Sequence, residues 1–90
     1  MIYFIADNHN RVKIGFTNDL KRRLTELQIS QAERLTPIYY IEDGDMVFES
    51  HIHSICKKYL ISGEWFDLKV IEEHLLKHSF YKEEMKVIET

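Results

Sequence analysis

One cysteine is too few for a disulfide, and Cys56 is alone in this chain of 90 residues. An internal disulfide framework and a cysteine-rich zinc site are both excluded. No apolar run comes near the roughly 20 residues that a membrane-spanning helix requires. The opening Met1-Ile2-Tyr3-Phe4 lacks the charged start and cleavage site of a secretory signal. With one proline and three glycines, the chain has no linker, repeat or low-complexity stretch. The expectation is one cytoplasmic domain over residues 1–90, with no membrane partner. A general excess of positive charge is missing too. The net charge of −3 argues against a nucleic-acid coat, where binding rests on neutralising many phosphates.

What is present is a core. The chain is 44% hydrophobic and 12% aromatic, a composition that folds rather than one that stays disordered. Its length suits a single compact domain. Charge is spread unevenly. Residues 1–34 carry six Lys/Arg against four acids, whereas residues 35–90 carry six lysines against eleven acids. The first third therefore has the composition for a local basic surface that contacts nucleic acid.

Ile2-Tyr3-Phe4-Ile5-Ala6 is β-prone, and Val12-Lys13-Ile14-Gly15-Phe16 alternates as a strand does. Asp7-Asn8-His9-Asn10 between them is turn material, which predicts a hairpin. Thr17-Asn18-Asp19 supplies N-cap candidates for a helix reaching about Gln28, with Leu20, Leu24 and Leu27 on one face. Pro37 precedes a third strand, Ile38-Tyr39-Tyr40-Ile41, which ends at an acidic turn. A second helix is expected from Met46 to about Tyr59. Gly63-Glu64-Trp65-Phe66 interrupts the pattern, and Asp67 is a cap candidate for a third helix carrying Leu68, Ile71 and Leu75. The tail, residues 79–90, fits a short helix, a strand or a frayed end. The fold class expected is α+β: a small three-stranded antiparallel sheet flanked by helices, in the order ββαβαα.

Helix geometry separates two neighbouring arginines. At about 100° per residue, Arg23 borders the leucine face and Arg22 points away from it. Arg23 is thus either a guanidinium emerging at the sheet edge or a snorkelling side chain covering apolar surface. On the second helix Glu49 lies at the border of the apolar stripe, and His53 follows one turn later on the same side. Such a pair suits a divalent metal or acid/base work. The alternative is a glutamate favoured by the helix dipole beside an exposed histidine. Strand parity puts Tyr3 on one face of its strand and Lys13 with Gly15 on one face of theirs. If the hairpin brings Tyr3 and Lys13 together, the lysine lowers the tyrosine pKa and provides a base.

These residues, in this order, resemble the motifs of the GIY-YIG nuclease superfamily, specifically its T5orf172 or MUG113-like branch of small phage and bacterial domains. Ile2-Tyr3, Lys13-Ile14-Gly15, Asp19-Leu20-Lys21-Arg22-Arg23-Leu24, Phe48-Glu49-Ser50-His51-Ile52-His53 and Gly63-Glu64-Trp65-Phe66 carry the likeness, over residues 2–68. The resemblance implies one-metal hydrolysis of a phosphodiester. Glu49 would hold Mg²⁺ or Mn²⁺, and Tyr3 would be general base, assisted by Lys13. Arg23 would stabilise developing charge, and His53 would aid proton transfer or position water. Lys13 stands where many members have a second tyrosine, and the late asparagine of other members has no counterpart. The implied partner is DNA, with RNA left open, as is a homodimer or a targeting partner. The competing expectation is a nucleic-acid-binding or regulatory module on the same scaffold with little or no cleavage.

Overall fold

The computed structural model describes residues 1–89. Strands β1 (Ile2–Ala6) and β2 (Arg11–Phe16) form the expected antiparallel hairpin. Asp7 builds its turn: Oδ1 accepts from the backbone N–H groups of His9 and Arg11, and Oδ2 accepts from Arg11 Nε at 2.6 Å. Asn10 adopts the left-handed region, with φ 60°, which asparagine tolerates better than most residues.

Helix α1 (Leu20–Ile29) starts where Asp19 accepts from the Arg22 N–H. Strand β3 (Thr36–Ile41) pairs with the free edge of β1. Helix α2 (Met46–Ile55) is capped by the Asp45 side chain. It gives way to a 3₁₀ turn at Lys57–Tyr59, so the long second helix expected is in fact two pieces. Strands β4 (Leu60–Ser62) and β5 (Trp65–Asp67) follow, then α3 (Lys69–Glu73), α4 (Ser79–Glu84) and β6 (Lys86–Val87). Asp67 accepts from the Lys69 N–H at the start of α3.

The class is α+β with an antiparallel sheet, but the sheet has six strands in the order β4-β5-β2-β1-β3-β6, not three. The additional strands have three, three and two residues. Segments that short cannot express a two-residue alternation. Gly63-Glu64-Trp65-Phe66, read from sequence as a break in the pattern and as one of the motifs carrying the likeness, is the turn into β5 followed by its first two residues, with Gly63 at φ 57°.

Both faces of the sheet are covered, which is why β1 is an unbroken apolar run. Ile2, Phe4, Val12, Ile14 and Phe66 face Ile52 and Cys56 of the α2 segment and Val70, Ile71 and Leu75 beyond it. Tyr3 and Ile5 face the other way, into a smaller cluster with Leu35 and the α1 leucines Leu20, Leu24 and Leu27. Burial pushes the Cys56 thiol up to about 12, so it packs as a small apolar group rather than a nucleophile. Among the described residues no helix is long and apolar enough to cross a membrane.

Candidate active site

The site forms where β2 outruns β5. Their last pair is Lys13 with Trp65, so the backbone of Ile14 needs other partners on that side. Its N–H donates to the Glu64 carbonyl at 3.1 Å. Its carbonyl lies 2.7 Å from His53 Nε2. A carbonyl only accepts, so Nε2 carries the proton and donates. The ring is steadied edge-on by Phe66, with centroids 5.1 Å apart. Residues of α2 and of the β4–β5 turn are thereby brought to one residue of β2.

Gly15 follows, directly opposite Tyr3. The phenol lies across it so closely that a Cβ on Gly15 would overlap the Tyr3 hydroxyl and ring. Tyr3 is buried, and Arg23 Nε donates to its hydroxyl at 3.4 Å. Arg23 also reaches Glu26 at 3.6 Å and leaves its side chain 38% exposed. Arg22, 77% exposed, contacts only Glu26 among the ion pairs of the described residues. The helix therefore sends one arginine to the sheet and the other to solvent.

Burial pushes the Tyr3 phenol above its ordinary 10.0; Arg23 pulls it down, while the charges of Glu64 and Glu49 push it up further. Hydrogen bonding to Tyr3 in turn raises the Arg23 pKa, so it stays a cation. The expectation that Lys13 meets Tyr3 and lowers its pKa is corrected. Register puts Lys13 opposite Ile5, and its ammonium pairs with Glu64 at 3.2 Å. The cation on the phenol is Arg23.

Glu49 lies half-buried in the first turn of α2, and its carboxylate has no hydrogen-bond or ion-pair partner among the described residues. His53, one turn on, spends Nε2 on Ile14, leaving Nδ1 for any proton transfer. His51 is exposed. His74 and His78 pack against each other beyond α3, between Tyr59 and Tyr81. Glu64 was assigned no role from sequence. No local signal marked it: the pairing of Trp65 with Lys13, which places the preceding residue beside the lysine, is a tertiary contact. A cleft of about 730 Å³ lined by Ile38, Tyr39, Leu68 and Ile71 includes none of Tyr3, Lys13, Arg23, Glu49 and His53.

The model for the T5orf172 domain matches residues 1–85. The chain belongs to the T5orf172 family. No curated protein and no solved structure matches it. The T5orf172 family is nuclease-associated, which makes this chain a nuclease-like or DNA-binding module. Among the described residues of this T5orf172 domain, no three or more His, Cys, Asp or Glu side chains cluster as a metal cage. A hard divalent ion needs none when one carboxylate, waters and substrate phosphate share the coordination. The uncommitted oxygen donor of Glu49 fits that arrangement.

Proposed function

We propose that this domain is a metal-dependent endonuclease that hydrolyses DNA phosphodiester bonds. The observation that carries the reading is the Arg23–Tyr3 hydrogen bond at the sheet end, with the uncommitted Glu49 on the helix that His53 joins to β2 at Ile14, next to the Gly15 that faces Tyr3. Glu49 would hold Mg²⁺ or Mn²⁺, which supplies Lewis-acid polarisation of a phosphate oxygen. Arg23 presents a permanent guanidinium to the charge that develops on the phosphate. Its bond to Tyr3 fixes where that charge sits before substrate arrives.

Tyr3 takes the proton of the attacking water. A phenol is protonated at neutral pH and burial pushes Tyr3 further that way, so the base is strong but scarce, and turnover rises with pH. Lys13 adds positive charge on the same sheet face, and His53 holds α2, with Glu49 on it, against β2. A second reading, a nucleic-acid-binding module that cuts poorly, draws on the same raised phenol and on the pairing of Lys13 with Glu64. Supercoiled-plasmid nicking with Mg²⁺ or Mn²⁺ separates the two. Nicking that is lost in Arg23→Ala and Glu49→Ala supports the nuclease. Binding without nicking supports the module.

A further inference from the structure

We propose that Glu64 is a positioning residue: its carboxylate holds the Lys13 ammonium on the Tyr3 face of the sheet, poised for a substrate phosphate. The inference rests on the nuclease reading and deepens it. A lysine ammonium on a four-carbon stem ordinarily samples solvent. Here the Lys13 side chain is only 13% exposed, its Nζ lies 3.2 Å from Glu64 Oε1, and the same nitrogen sits 5.5 Å from the Trp65 ring centroid.

The tether is itself anchored. The Glu64 carbonyl accepts from the Ile14 N–H, Gly63 makes the turn before it, and Trp65 after it pairs with Lys13. Neighbouring cations are committed elsewhere, Arg11 to Asp7 and Arg23 to Tyr3 and Glu26. Glu64 therefore decides where the Lys13 charge stands. Its own negative charge opposes a phosphate, so a tether and a repulsive plug make opposite predictions. Neutralising a tether slows turnover without weakening DNA binding. Neutralising a plug speeds turnover.

The test uses the full chain with Glu64→Gln, Lys13→Met and the double variant. Nicking kinetics are measured on plasmid with Mg²⁺, and water exchange of the Lys13 ammonium is followed by NMR without DNA. Glu64→Gln is expected to lower kcat about tenfold with no rise in KM, a cost in the range of a misplaced charged group. The double variant should be no slower than Lys13→Met, because the carboxylate acts through the lysine. The ammonium should exchange slowly in the wild type and fast in Glu64→Gln. Wild-type or faster turnover in Glu64→Gln, multiplying losses in the double variant, or unchanged ammonium exchange overturns the proposal. The exchange measurement needs no cleavage, so a wild type that fails to nick sinks the nuclease reading while the tether is still decided.

Discussion

His53 Nε2 donates to the Ile14 carbonyl at 2.7 Å, joining the helix that bears Glu49 to the strand that bears Lys13 and Gly15. The bond needs a proton on Nε2, because the Ile14 carbonyl can only accept. His53 is thus first a brace, and its chemistry follows from what it holds in place.

Removing that brace costs stability and activity together. His53→Ala is expected to lose about 1–2 kcal/mol, the scale of a lost hydrogen bond plus a stranded acceptor. Urea denaturation gives the first number, and nicking by the folded fraction gives the second. His53→Gln, which keeps a donor, should recover part of both. A folded, fully active His53→Ala would show that Glu49 is held in place without it.

Gly15 is a steric requirement of the phenol. Gly15→Ala puts a methyl group where the Tyr3 ring lies, so the ring must leave and the Arg23 contact with it. Overpacking of this kind costs about 1–3 kcal/mol. A lowered Tm with strongly reduced nicking is expected. The same Tm and rate as wild type would mean that the phenol is free to move.

Alkaline pH should weaken the fold. Burial raises Tyr3 above 10.0, Cys56 from 9.0 to about 12, and Tyr81 above 10.0. All three bind their proton more tightly folded than unfolded. The stability this represents is complete below the unfolded values and is lost as pH rises through the folded ones. The decline should therefore begin near pH 9, where unfolded Cys56 ionises, and steepen above 10 as the tyrosines join. Urea midpoints from pH 8 to 11 test it. Tyr3→Phe should flatten the part above 10 and leave the Cys56 part. A profile identical in the variant would place the alkaline sensitivity elsewhere.

The elements that were legible in sequence are those long enough to carry a period. The β1–β2 hairpin, α1 and the start of α2 follow from alternation, leucine spacing with the Asp19 cap candidate, and the apolar stripe of the second helix. The split between Arg22 and Arg23 followed from helix geometry alone. Strands β4, β5 and β6 were not legible, because their pairing is tertiary and their length is below any alternation. That blind spot hid Glu64: its importance comes from β5 lying beside β2, not from its neighbours in sequence. Register was the other gap. Parity alone allowed Tyr3 to face Lys13 or Gly15, and the pairing chose Gly15.

Plasmid nicking tests the central claim most directly. Purified wild-type chain is incubated with supercoiled plasmid in Mg²⁺, in Mn²⁺ and in chelator, beside folded Arg23→Ala and Glu49→Ala. Each substitution is expected to reduce the rate at least about a hundredfold, the scale for losing a transition-state charge contact, and chelator should abolish cleavage. Nicking at one rate in all three proteins, or undiminished in chelator, would contradict a site built on Tyr3, Arg23 and a metal held by Glu49.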